Sequence, residues 1–97
     1  MNIDPSRIKY AHFIDREVPH TIGYYIDDDT NTVSFAVAYT NPNDQYNKAI
    51  GRSIVTGRLL KGGLNSRGQA RRYTVPFSSF RSTKYRDIVS AIESMVL

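Results

Sequence analysis

An α+β fold, a small antiparallel sheet packed against two helices, is predicted by three features of the sequence. HTIGYYID and NTVSFAVAYT are runs of β-branched and aromatic residues separated by a polar cluster, which reads as an antiparallel hairpin over 21–40. Tyr85, Ile88, Val89, Ile92, Met95 and Val96 recur on one face of a helix over about 83–96. Between them, a run over about 44–61 has turn residues before it and Gly62-Gly63 after it, and so predicts a second helix.

Taken in order, Asp4-Pro5 has the form of a helix cap with proline in the first turn, yet Ile8, Tyr10, His12 and Ile14 alternate as a strand would. Residues 5–16 stay open between the two, with a lean towards an extended segment. In the hairpin's second strand, Val33, Phe35, Val37 and Tyr39 share one face and Ser34, Ala36 and Ala38 the other. The small residues would let another element approach closely. Asp27-Asp28-Asp29-Thr30-Asn31 lacks the glycine and the downstream glutamate of an EF-hand loop, so it reads as a solvated turn. Asn41-Pro42-Asn43-Asp44 reads as a turn and cap, with Asn43 or Asp44 accepting from the first helical amides.

On the helical wheel of 45–61, Tyr46, Ile50, Ser53, Ile54 and Gly57 form one stripe, expected to pack on the hairpin. Lys48, Arg52, Val55 and Leu59 fall opposite. Apolar residues among cations on an outward face point to a subunit interface of Lys48, Val55 and Leu59, or to cover from the C-terminal helix. Gly51 would then open a gap beside Arg58, with Asn47 one turn earlier, either as a ligand site or to admit another helix. GLNSRGQARR, at 63–72, is polar, basic and glycine-containing, and predicts a flexible loop. YTVPFSSF predicts a short strand near 73–80, which Pro76 confines to a sheet edge. Ser82 or Thr83 would cap the last helix.

Ninety-seven residues suit one domain, 1–97. There is no cysteine, which removes disulfides and thiolate metal sites. MNIDPSRIKYAHF lacks the basic and apolar regions of a signal peptide, and no apolar run is long enough to span a bilayer. A cytoplasmic protein with no membrane contact is therefore expected. Residues 1–44 carry three basic and seven acidic side chains, whereas residues 45–97 carry ten basic ones against Asp87 and Glu93. The asymmetry predicts an anionic partner for the C-terminal half, a solvated basic face being the plainer reading.

Nucleophile-elbow, zinc-protease, Walker and dinucleotide-binding motifs do not occur. His12 and His20 read as surface or turn residues, Asp15 and Glu17 have no cleft assigned to them, and no metal or cofactor is expected. An enzyme is not predicted. A phosphate-bearing nucleotide would be held by Asn47, Gly51, Arg52, Arg58, Arg71 and Arg72, from the helix and the basic loop. The alternative is nucleic acid, on Arg67, Arg71, Arg72, Tyr73, Arg81 and Lys84, with charge for phosphates and rings for bases. A third class is a protein inhibitor presenting Val55, Leu59 and their cations to a host enzyme.

Pro42, Asp44, Tyr46, Gly51, Arg52, Ile54, Gly57, Arg58 and Leu59 form a pattern that covers roughly 21–60. It resembles small accessory proteins of tailed bacteriophages, in which a hairpin leads through a proline–aspartate turn and an aromatic into a Gly-Arg-rich helix. The resemblance carries no site residue across. It implies a counter-defence role in the host cytoplasm, by analogy with oligomeric sponges for nucleotide signals. The leading expectation is a non-enzymatic phage protein that oligomerises and sequesters such a nucleotide.

Overall fold

A computed structural model describes residues 3–41 and 43–96. Pro42 of the expected turn lies outside the described residues. Asp4 accepts from the Ser6 amide at 3.0 Å, and Pro5 begins a single 3₁₀ turn, Pro5–Arg7. The chain then extends into β1, Lys9–Phe13. The cap-like start and the alternation were both real, each on its own short element.

The hairpin is β2, His20–Asp27, and β3, Thr32–Tyr39, turned through Asn31 at φ 54°. Asp27 Oδ1 accepts from the amides of Asp29 and Thr30, which makes the acidic cluster a self-satisfied turn. β4, Tyr73–Pro76, completes a four-stranded antiparallel sheet in the order β1-β2-β3-β4. Among the described residues, β4 pairs with Thr32 to Phe35 alone, so the second half of β3 has no strand beside it on that edge.

The two helices, α1 (Lys48–Lys61) and α2 (Tyr85–Val96), cover opposite faces of this sheet. Ala11, Ile22, Tyr24, Val33 and Phe35 pack with Ile88, Val89 and Ile92 of α2, as the alternation of each strand requires. The other face presents the small residues Gly23, Ala36 and Ala38, and there α1 packs closely. A Cβ on Gly23 would lie 2.7 Å from Val55 Cγ2.

α1 is rotated relative to the predicted wheel. Gly51, Val55 and Leu59 face the sheet, and both Val55 and Leu59 are 0% exposed. Ile50 and Ile54 point outward at 58% and 39% exposure, and nothing lies within 4 Å of a Cβ on Gly57. Of the interface expected on Lys48, Val55 and Leu59, Lys48 alone is exposed, and the other two are covered by the sheet rather than by a partner or by α2. Burying Val55 and Leu59 contributes about 1.5–3 kcal/mol each.

The helix also starts later than predicted. Asn47, not Asn43 or Asp44, is the cap, accepting from the Ile50 amide at 3.1 Å. Gly62, at φ 59°, ends it and donates to Arg58 O, in a conformation that favours glycine. The loop predicted as flexible is closed by a Leu64–Ala70 bridge and by Asn65, whose side-chain oxygen accepts from the amides of Arg67 and Gln69. At the start of α2, Ser82 Oγ accepts from the Lys84 amide and donates to Asp87 at 2.6 Å.

Candidate functional site

The uncovered part of β3 opens onto a cleft of about 840 Å³. Val37, Val75 and Met95 give part of its lining an apolar character. Tyr39, Tyr73, Asn65, Gln69, Arg58 and Arg71 line the same cleft. Each polar group is placed by an identifiable contact. Arg58 leaves the flank of α1 and donates to Val37 O, a carbonyl on the edge that β4 does not reach. Arg71 donates to Gly62 O at 2.8 Å. Tyr73 stacks on Phe35 with centroids 5.6 Å apart, and the Tyr39 hydroxyl donates to Val96 O.

Only two of the six ligand-binding candidates, Arg58 and Arg71, meet in this cleft. Arg72 turns under the helix end, where it donates to Leu59 O and packs on Gly62. Arg71 and Arg72 thus both complement the negative end of α1. Asn47 is a cap, and the space at Gly51 is filled by Thr21, whose Oγ1 lies 2.2 Å from where a Cβ would sit. No gap beside Arg58 results.

Arg52 stands on the other flank of α1 with a group that the sequence reading missed. His12 Nδ1 lies 2.7 Å from the Tyr46 hydroxyl and 3.1 Å from Thr21 Oγ1, and those two oxygens are 3.1 Å apart. Arg52 Nη1 is 3.5 Å from His12 Nε2. A guanidinium only donates, so Nε2 is the acceptor and the ring proton sits on Nδ1. Burial, then the charges of Arg52 and Lys48, hold the His12 imidazole below its ordinary range. The signal available in the sequence was parity: Tyr10 and His12 share one face of β1, and His12 pairs with Thr21.

His20 is not a surface residue. It is 0% exposed, stacks on Phe13 with centroids 5.0 Å apart, and donates through Nδ1 to Val18 O at 3.0 Å. Its Nε2 lies 3.2 Å from Glu93, which Arg16 grips through two nitrogens at 3.0 and 2.9 Å. This clasp joins the start of β2 to α2.

The nucleic-acid set is dispersed. Arg71, Arg72 and Tyr73 are engaged as above, while Arg67 lies exposed in the 62–72 loop and Arg81 and Lys84 ahead of α2. Among the described residues, no group of three His, Asp or Glu could hold a metal ion, and no helix is long and apolar enough to cross a membrane. The chain matches no protein-family model, no curated protein and no solved structure.

Proposed function

We propose that the chain is a non-enzymatic binding protein whose β3–β4 cleft takes a phosphate-bearing nucleotide. One observation supports this best: two arginines, one from α1 and one from the loop after it, line a single cleft with apolar side chains and two tyrosines. A guanidinium has five donors, so Arg58 and Arg71 keep several for phosphate oxygens beyond the carbonyls they hold. Tyr39 or Tyr73 offers a face for a base, and Gln69 an amide for its edge. In the setting implied by the phage resemblance, sequestering such a nucleotide in the host cytoplasm serves counter-defence. Titration calorimetry against cyclic and ADP-ribose-derived nucleotides tests the reading, with binding to one member weakened at least tenfold by Arg58→Ala or Tyr73→Ala. No heat with any member, together with salt-sensitive shifts of DNA or RNA, would overturn it in favour of the nucleic-acid reading.

Self-association belongs to the same proposal, on a different surface from the one first expected. The outward line of α1 holds Ile50, Ser53, Ile54 and the open Gly57. An antiparallel pair about a two-fold axis between Ser53 and Ile54 would seat Ile50 over the partner's Gly57. Arg58 would then face the partner's Ala49, so no cation opposes another, and Asp44 would fall near the partner's Lys61. Sedimentation should show a dimer that Ile50→Glu converts to monomer. A wild-type chain monomeric at every concentration would remove this part of the proposal.

A further inference from the structure

We propose a second anion site, independent of the cleft, in which Lys48, Arg52 and His12 bind a phosphate or phosphate monoester dianion with uptake of a proton by His12. Arg52 stands at the Nε2 edge of the imidazole, on the helix whose first residue is Lys48. Lys48 and Arg52 are one turn apart on α1, and both act on His12 electrostatically. Lys48 is also the first residue of the helix, where the backbone dipole favours anions over cations, and the first turn contains no acid. Among the described residues, neither cation has a carboxylate at ion-pair distance. The edge cleft beside β1 that holds Arg16, Tyr85, Arg86 and Glu93 is lined by Ala11, Phe13 and Val89 on the α2 side of the sheet, away from the face that carries the His12 ring.

The ring is held for this purpose from behind. Nδ1–H donates to the Tyr46 hydroxyl at 2.7 Å, and that hydroxyl can pass its own proton to the buried Thr21 Oγ1. These contacts keep Nε2 turned towards Arg52. Without an anion, protonating Nε2 would place a third charge beside two cations and break the Arg52 contact. A dianion bridging Lys48 and Arg52 reverses the sign. Arg52 then donates to the anion, Nε2 gains a proton and donates to the same anion, and the Nδ1 bond to Tyr46 is kept. One proton is taken up from solvent and no covalent bond changes.

The linkage fixes the experiment. His12 is followed by imidazole NMR over pH 5–8 in inorganic sulfate, whose charge does not change there, against chloride at equal ionic strength. The expected result is a higher His12 midpoint in sulfate, by about one pH unit or more, and sulfate affinity rising up to about tenfold per unit as pH falls through the window. Arg52→Gln, an exposed position, should abolish both effects, whereas Arg67→Gln, which removes an equal charge elsewhere, should leave them. Equal midpoints in sulfate and chloride, or a sulfate response surviving Arg52→Gln, would overturn the site. Inorganic phosphate beside adenosine monophosphate then separates the sources: tighter binding of the nucleotide assigns the site to a phosphoryl group on a larger molecule, equal binding to free phosphate. Loss of nucleotide binding in the cleft variants would leave this result untouched.

Discussion

The two glycines of α1 should respond to the same substitution with opposite sign. In a free helix, Gly→Ala gains about 1 kcal/mol at either position. At Gly57 nothing lies within 4 Å of the added Cβ, so Gly57→Ala should keep that gain. At Gly51 the new Cβ would sit 2.2 Å from Thr21 Oγ1 and 2.9 Å from Thr21 Cβ. Thr21 is fully buried in the middle strand pair, and its Cβ is carried by the β2 backbone, so it cannot swing clear. Either α1 lifts off the sheet, at an overpacking cost of about 1–3 kcal/mol, or Thr21 rotates and its bonds to His12 and Tyr46 are lost, at about 0.5–1.5 kcal/mol each. Set against the propensity gain, Gly51→Ala should lose up to about 2 kcal/mol. The variants should therefore differ by about 1–3 kcal/mol, on the order of 10 °C in melting temperature for a chain this size. Urea unfolding followed by circular dichroism measures the gap, at the lowest usable concentration so that self-association through Gly57 does not enter. Gly51→Ala as stable as Gly57→Ala would refute the orientation assigned to α1.

The same orientation predicts that Leu59→Ala loses about 2–5 kcal/mol, while Ile54→Ala, half open to solvent, changes stability by less than about 1 kcal/mol. Unfolding of the pair decides whether Val55 and Leu59 or Ile50 and Ile54 face the sheet. The His20 clasp gives an acid-side prediction. The Arg16 hydrogen bonds, foremost, hold the Glu93 carboxyl below its ordinary range, against burial. A carboxyl with a lowered folded pKa contributes stability that is present above its unfolded value, near 4.5, and is lost as pH falls through the folded value. Glu93→Gln should remove that part of the acid-side loss and lower stability at neutral pH by about 1–2 kcal/mol. Unfolding curves at pH 3 and pH 7 for both chains check it, and an unchanged pH dependence would count against the clasp.

The hairpin was legible because its two strands repeat with one period and a clear change of side-chain size. Ala36 and Ala38 announced the face that α1 approaches, and the α2 stripe was legible for the same kind of reason. The rotation of α1 was not, because the helix carries two apolar lines of similar strength, Ile50 with Ile54 and Val55 with Leu59. Size, not hydrophobicity, decides between them: Gly51 lets the helix settle on Thr21, and Gly23 receives Val55. β1 was obscured by a 3₁₀ turn directly ahead of it, so no single period fits residues 5–16. Of the cleft, Arg58 and Arg71 could be named as cations, but Tyr39 and Met95 join them only through the fold. His20 was misread because Glu93, the residue it faces, lies in the last helix.

The basic half of the chain is not one surface, and its parts differ in what they do for stability. Arg71 and Arg72 meet the carbonyl end of α1, where positive charge is favoured. Lys48 stands at the opposite end, where it is disfavoured by about 0.3–1 kcal/mol, and both it and Arg52, one turn on, oppose a charged His12. A sequence selected only for folding would place an acid in that first turn. Lys48→Glu should accordingly stabilise the fold, by about 1 kcal/mol when loss of the cation and gain of the anion are combined. It should also raise the His12 midpoint and abolish the sulfate response at that site. Stabilisation with the response gone is the expected pair, measured by urea unfolding and imidazole NMR on one variant. A Lys48→Glu chain less stable than wild type would mean that the first-turn cation serves the fold, and the case for an anion there would lose its electrostatic premise.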